Sequence, residues 1–488
     1  MSLRSIADGW SKWAALPTLR AAKALSRGWS RPSGAIHGRR RAVRRAEPNP
    51  CRCRSGADSR GLRRTGGIPM RHAVTVTGLA GLVTLLSAGT AARAQVAPPP
   101  RPAERQSDEF EPVGGRIGSF FLFPSLETRI EYDDNILALP SEGEGDVELT
   151  VRGGVAIESR WQRHSLEADA YVQQNFHGRF TTEDVMEGGA RLRGRLDISR
   201  DTSARLIASL DSLAEDRANI TSAGQARRPT RFRRADALFA LAQDFGRVQV
   251  VGDAQMVVLD FDDATRADGT VLNQDFRDST YLRASLTTLV EVSPRVSGLL
   301  RGQVDRLTYS GNPDTPDPFD RDTTGYAIEA GMKLELSNLL FGEVRAGVLH
   351  RQVDDPSADG LTGASFGANL TWAATPLTTL RLFADRQVEE GGSQLVSGNV
   401  RSQARVEVEH ELLRNLVLEG RAGFARIETI GQVETSADEY NLMVGATWKL
   451  DRNFRVFARA DRFQRFADDA FFREFTRNRV TAGVRLVF

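Results

Sequence analysis

The chain has 488 residues, enough for several soluble domains or one large barrel, with 65 Lys+Arg against 63 Asp+Glu. Residues 1–69 hold 16 basic and three acidic residues, residues 70–94 add only Arg71 and Arg93, and the remainder from Gln95 carries 47 basic against 60 acidic residues, a net of −13. So acidic a body excludes a nucleic-acid binder, which needs a basic face, and the lack of an apolar run of about 18 residues beyond the signal-like stretch excludes a bundle of membrane helices.

Residues 1–69 mix arginine with Pro, Gly and Ser and show no sustained apolar period, so they cannot bury a core and read as a disordered basic leader. Either this is a genuine basic arm or translation starts at Met70. The second is favoured, because an export signal normally stands first. Cys51 and Cys53 both fall here, and a Cys-x-Cys pair without further ligands is a poor metal site. The chain from Gln95 on holds no cysteine, so no disulfide is expected there. Residues 70–94 read MRHAVTVTGLAGLVTLLSAGTAARA, a short basic start, an apolar stretch from Ala73 to Leu86 and an Ala92-Arg93-Ala94 end. This is the three-part form of a secretory signal, and its apolar part is too short to span a bilayer. Residues 95–118 form a proline-rich lead with Pro98-Pro99-Pro100, too short for the plug domain of an energised transporter. No passenger domain precedes the barrel, which argues against an autotransporter.

From Phe120 the hydrophobic period is two. Leu126, Thr128, Ile130 and Tyr132 oppose Ser125, Glu127, Arg129 and Glu131. The pattern returns at Leu192 and Leu196 against Arg191, Arg193, Arg195 and Asp197, at Ile328 and Met332 against Glu329 and Lys333, at Val400, Val406 and Val408 against Arg401, Arg405, Glu407 and Glu409, and at Leu442, Val444 and Trp448 against Asn441, Met443 and Lys449. A soluble sandwich alternates too, but its water-facing side carries many lysines. Here Lys333 and Lys449 are the only two beyond the signal, and the polar faces mix arginine with carboxylate. A genome that favours arginine codons is one explanation. The other is a lumen lined by ladders in which a planar guanidinium pairs with carboxylate in bidentate fashion. Candidate lumen-lining residues are Glu127, Arg129, Glu131, Arg191, Arg193, Arg195, Arg401, Arg405, Arg455, Arg459, Arg479 and Arg485.

Connections alternate in length. Short ones fall at 199–202, 244–246, 292–294, 337–338, 375–376, 414–415 and 451–453. Long ones fall near 133–147, 212–231, 260–277, 310–322, 353–361, 388–396, 429–438 and 466–474. A membrane barrel needs this, with tight periplasmic turns and longer outer loops, and a Greek-key sandwich does not. The fold expected over 119–488 is all-β, a transmembrane antiparallel up-and-down barrel of about 18 strands, with 16 as the alternative count. The expected strands are 119–132, 148–160, 165–176, 188–198, 203–211, 232–243, 247–259, 278–291, 295–308, 324–336, 340–352, 362–373, 377–387, 397–410, 416–428, 437–450, 453–465 and 475–488. An even count leaves both barrel termini periplasmic in the bacterial outer membrane.

Asp133-Asp134-Asn135 offers clustered oxygens that suit calcium, but Asp and Asn at a strand end more often cap a turn. Other outer loops are acidic at Glu142, Glu144 and Asp146, at Asp260, Asp262 and Asp263, at Asp314, Asp317, Asp320 and Asp322, at Asp354 and Asp355, and at Asp468 and Asp469. The spacing at 312–322 lacks the glycine and final glutamate of an EF-hand, so an acidic rim bridged to lipopolysaccharide by divalent ions is the plain account. Residues 217–234 instead gather Arg217, Arg227, Arg228, Arg231, Arg233 and Arg234. That loop either folds inward as a constriction, clamps lipopolysaccharide phosphate, or moves freely in solvent. His164, His177, His350 and His410 are the histidines beyond the signal, and no spacing favours a Ser-His pair. No enzyme, cofactor or metal is expected.

The chain closes on Val480, Ala482, Val484, Leu486 and Phe488, all on one face. An alternating final strand ending in Phe resembles the C-terminal signature of bacterial outer-membrane proteins, the signal that the barrel-assembly machinery reads. The opening strand FFLFPSLETRIEYDDNIL, with its Tyr132-Asp133-Asp134-Asn135 end, resembles the β-barrel porin family, type two. The resemblance spans about 118–488, is specific at its two ends and is pattern-like between them. It implies a Gram-negative outer-membrane porin linked with surface-polysaccharide systems, with outer-membrane lipid, lipopolysaccharide, the assembly machinery and polysaccharide-secretion components as partners. Three functions stay open: a passive diffusion or export channel for hydrophilic solute or polysaccharide, a non-conducting accessory barrel of an exopolysaccharide secretion system, and a barrel-embedded hydrolase.

A gene whose translation starts at Met70 should support full outer-membrane levels of the protein. A mature N-terminus upstream of Met70, read by Edman degradation, would contradict this.

Overall fold

The computed structural model describes residues 110–222, 226–311, 319–336, 339–468 and 471–488. The leader, the signal and most of the proline-rich lead lie outside these residues, as do Asp314, Asp317, Asp469 and the turn at 337–338.

A chain crossing hydrocarbon must pair every backbone N–H and C=O within itself, and here a single antiparallel sheet does so by closing. Its strands are β1 (Phe120–Asp133), β2 (Asp146–Ser159), β3 (Ser165–His177), β4 (Val185–Asp197), β5 (Thr202–Ala214), β6 (Arg231–Asp244), β7 (Val248–Phe261), β8 (Ser279–Ser293) and β9 (Val296–Tyr309). They continue as β10 (Thr323–Glu335), β11 (Leu340–Val353), β12 (Leu361–Thr375), β13 (Thr378–Glu389), β14 (Val396–Leu413), β15 (Leu416–Gly431), β16 (Ser436–Lys449), β17 (Phe454–Ala467) and β18 (Phe475–Val487). Each pairs with its neighbours in sequence, and β18 returns to β1 from Val487 opposite Ser125 to Arg479 opposite Asp133. The barrel has 18 strands, the leading count above, and no α-helix occurs among the described residues.

Strand bounds fall within a few residues of those expected, with three differences. Gly115–Ile117, expected inside the lead, forms a short strand on Phe120–Leu122. It takes the edge of β1 that β18 leaves open below Ser125. A small hairpin, Ala264–Thr265 with Val271–Leu272, folds within the β7–β8 loop. β14 and β15 also run on to Leu413 and Gly431, absorbing register shifts at Glu411/Leu413 and Val396/Gly398. The run of β15 to Gly431 and the start of β16 at Ser436 shrink the loop expected at 429–438 to 432–435. Elsewhere short connections such as 294–295, 376–377 and 414–415 share one rim, and long ones such as 134–145, 215–230, 262–278 and 310–322 share the other. Both ends of the barrel sheet lie at the short-turn rim.

Outward residues are apolar, and Leu126, Ile130, Leu442, Val444 and Val480 are all exposed. Aromatic residues ring this face at both ends: Tyr132, Phe176, Tyr326 and Tyr440 toward the long loops, and Trp161, Trp372, Trp448 and Phe488 toward the short turns. Amphipathic rings at both interfaces set the height of a barrel in the bilayer. Among the described residues, buried apolar side chains cluster at two small sites near the long-loop rim, Phe319 with Val353, Val400 and Ile430, and Ile427 with Ala437 and Phe472. Stability therefore rests on the closed ladder and the lipid it faces.

Phe488 donates its backbone N–H to Pro124 at 2.9 Å and leaves its ring exposed. Deleting it should lower the assembled fraction, read from heat-modifiable gel migration, far more than deleting Asp468 from the 468–474 loop. Val484→Arg should also cost roughly 2–4 kcal/mol. Equal assembly of all three variants and the parent chain would contradict this assignment of the faces.

Candidate functional site

The inward face is a continuous charged wall. Arg479 donates to Asp461 at 3.0 and 3.1 Å and lies 3.5 Å from Glu131, which accepts from the Thr481 hydroxyl at 2.7 Å. Glu127 stands 3.8 Å from Arg485 and 3.9 Å from Arg129, and Arg129 stands 3.8 Å from Glu148. Arg455 reaches Glu111 at 3.3 Å and Arg459 reaches Glu419 at 3.4 Å. Gly483 permits the packing between these rows: a Cβ there would fall 2.5 Å from the Phe457 ring and 2.9 Å from the Arg129 Cβ.

The second group behaves alike. Arg193 pairs with Asp169 at 3.1 Å, Arg195 with Asp197 at 2.9 Å, and Arg191 sits directly opposite Asp169. Arg401 is clamped between Glu389 at 3.1 Å and Glu439 at 2.7 Å. Glu407 gathers Arg381 and, at 3.0 Å each, Arg405 and Arg421. Two parallel N–H donors per guanidinium suit such sharing, which an ammonium cannot match.

The loop 215–230 is the feature that sequence reasoning described least well. Its entry, residues 215–222, crosses from β5 to the far wall. Buried Arg277 holds Glu215 at 2.7 and 3.1 Å and also Glu390 at 2.9 Å. Arg477 of β18 holds Asp216 at 2.7 Å and Asp133 at 2.5 Å. Arg465 of β17 donates to the Ala218 carbonyl at 2.6 Å while pairing with Glu439 at 2.5 Å. Ile220 packs on Ile427, Ala437 and Phe472. The loop is thus tied to strands that are not its neighbours in the sheet.

The arginine-rich part of that loop does something else. Arg217 turns back to Glu183 in a bidentate pair at 2.8 and 2.9 Å. Arg233 lies on the outward side beside Asp260 and Asp262, and Arg234 pairs with Asp236. The part that seats inward is acidic, Glu215 and Asp216, and the wall supplies the arginines. No local pattern could reveal this, because the partners lie 62 and 261 residues away.

Arg321 ties the mouth further. It donates to the carbonyls of Phe276 at 2.6 Å and of Val396 and Gly391 at 3.0 Å, with its guanidinium 3.9 Å from the Tyr309 ring centre. Outside the membrane-spanning strands, burial pushes the Asp216 carboxyl up, but Arg477 and Arg479 more than reverse this and hold it below the usual carboxylate range. Burial acts against the charge of Arg277, and Glu390 and Glu215 outweigh it, so that guanidinium holds its proton more firmly than usual.

Asp133-Asp134-Asn135 forms a turn whose oxygens are already used. Asp133 takes Arg477 and the Asn135 N–H, Asp134 takes Asn478, and the Asn135 side chain bridges Leu139 and Thr476. The histidines are dispersed: His177 lies between Glu148 and Asp184, His350 meets Thr362, His410 meets Thr378, and His164 accepts from the Asp197 N–H.

No curated protein is significantly similar to this chain. Among solved structures, the ferric enterobactin receptor of Pseudomonas aeruginosa is 6% identical with a TM-score of 0.42, over 78% of this chain and 82% of that one. The OpdO protein of the same organism is 11% identical with a TM-score of 0.40, over 76% and 98%. OpdK, solved with vanillate, is 10% identical with a TM-score of 0.39, over 75% and 99%. Such low scores carry no functional argument. The family described as "Putative beta-barrel porin 2" matches residues 108–488, which include all of the described residues. With its closed barrel, apolar exterior and charged inner wall, the chain belongs to this family of outer-membrane β-barrel porins.

Proposed function

We propose that this porin is a passive, non-enzymatic channel for hydrophilic solutes, with the charged inner wall as its bore and residues 215–222 as its constriction. The observation that carries this reading is the crossing of that loop, pinned by Arg277, Arg465 and Arg477. Barrels of this strand number are wide enough to leave an aqueous channel unless something crosses them, and paired charges orient water and polar solutes while loops set the exclusion size. A polysaccharide chain is one such solute. The short-turn rim is then periplasmic, residues 70–94 direct export, Phe488 serves the assembly machinery, and the acidic long-loop rim meets lipopolysaccharide.

A second reading is favoured by the knitting of the mouth through Arg277 and Arg321. It makes the protein a non-conducting accessory barrel of a polysaccharide-secretion complex. Planar-bilayer recording separates the two. The channel reading expects stable single-channel steps that grow when 216–222 is replaced by a short glycine linker. Absence of steps from both proteins would favour the accessory barrel.

The seating of the loop should depend on its arginines and little on pH. Arg277→Met strands buried Glu215 and half-buried Glu390, at a cost of about 3–5 kcal/mol, so hydrogen-exchange protection of 215–222 should collapse. A group held below its ordinary pKa contributes stability that is present above the unfolded value, about 3.9 for Asp, and is lost only as pH falls through the depressed one. Protection contributed by Asp216 should therefore persist from pH 8 down to about pH 4 and fall in Asp216→Asn. Loss of protection in the parent chain near pH 6 would contradict this.

A further inference from the structure

Register across the closure places like charges side by side. Lys449 on β16 lies directly opposite Arg455 on β17, and Arg455 opposite Arg485 on β18. Arg485 lies opposite Glu127 on β1, and Glu127 opposite Arg152 on β2. Strands β16, β17, β18, β1 and β2 thus set four cations and one carboxylate in one cross-strand row, which starts near the short-turn rim at Lys449 and reaches mid-strand at Arg152. Like charges directly opposite one another are destabilising. Arg195 and Arg205 also face each other, but there Asp197 pairs with Arg195 at 2.9 Å, as Asp461 does with Arg479 and Asp169 with Arg193.

Glu127 does not hydrogen-bond Arg485. At 3.8 Å from Arg485 and 3.9 Å from Arg129 it is shared, and neither distance is that of a hydrogen bond. Arg152 lies with its guanidinium 3.9 Å from the Tyr171 ring centre, which orients it, and the Arg485 side chain is 49% exposed, which leaves it open to the bore. The chain meets the row with a carboxylate from outside the barrel strands. Glu111, just before the short strand Gly115–Ile117, accepts from Lys449 at 2.8 Å and reaches Arg455 at 3.3 Å. Lys449 is 6% exposed, so this contact is a seated one.

We infer that the row Lys449–Arg455–Arg485 is an anion-binding station, taking the carboxylate, phosphate or sulfate group of a hydrophilic solute, and that Glu111 is its tethered occupant. This deepens the channel reading, which supplies the route by which an anion arrives, but the binding itself needs no conduction. A tethered carboxylate competes as an intramolecular ligand at high effective concentration, so a free anion gains the site by displacing it. Arginine suits oxyanions because its fork meets two oxygens at once.

The test is calorimetric titration of the refolded full-length barrel in detergent with inorganic pyrophosphate, with folding checked by heat-modifiable migration. Binding should weaken about tenfold or more in Arg455→Ala/Arg485→Ala, as expected when charge-assisted bonds are removed. It should tighten several-fold in Glu111→Gln, and stay unchanged in Arg233→Ala at the opposite rim. Equal binding by all four proteins, or no binding even by Glu111→Gln, would overturn the inference. If the double variant fails to fold, Glu111→Gln decides alone, because no tightening there overturns it as well. Binding without single-channel steps in bilayers would sink the channel reading and leave the station standing.

Discussion

Backbone polarity in hydrocarbon is the constraint from which the rest of this molecule follows. An unpaired N–H or C=O in the bilayer costs several kcal/mol, and a sheet avoids that cost only by having no edges. Closure of β18 on β1 meets this requirement, and it also fixes which residues face each other across the seam. With a period of two, one face then meets lipid and is largely apolar, while most charges on the strands turn inward or lie near a rim, and Arg462, opposite Leu442, faces outward. Arg479 and Val480 are neighbours in sequence, yet one pairs with Asp461 inside and the other is exposed outside.

Charges gathered inside a barrel repel unless they alternate in sign, and arginine is the cation best able to serve two carboxylates at once. Arg277, Arg401 and Arg477 each do so. A buried pair of this kind stabilises little relative to an apolar substitute, but breaking it is costly. Its contribution here is geometric. The pairs hold 215–222 against the far wall, so the width of the bore depends on side-chain chemistry rather than on strand number alone. The same logic makes the Lys449–Arg455–Arg485 row distinct, for there the barrel strands leave cations opposed and a residue from outside them approaches.

What could be read in the sequence is what depends on local pattern. Leu126, Ile130 and Tyr132 opposite Glu127, Arg129 and Glu131 declare a strand and its two faces without any partner being known. Turns such as 292–294 and 414–415 declare where strands end. The seating of the 215–222 loop was not legible, because its arginines are supplied by β17, β18 and the approach to β8, and closure rather than sequence proximity brings them together. The arginines of 217–234 left open an inward constriction, a lipopolysaccharide clamp or a solvated loop, and the structure seats the acidic entry inward and leaves Arg233 outside. Glu111 was equally hidden, for a single glutamate in a lead segment carries no period.

The central claim is a water-filled bore bounded by the inward face. The chain from Gln95 on lacks cysteine, so single cysteines can be placed at will. Arg485→Cys and Val484→Cys sit on adjacent residues of β18 with opposite facing, and both positions are exposed. In intact outer membranes a charged, water-soluble thiol reagent should label Arg485→Cys readily and leave Val484→Cys unreacted. Labelling of Val484→Cys alone would reverse the faces, and labelling of neither would show that water does not reach this wall.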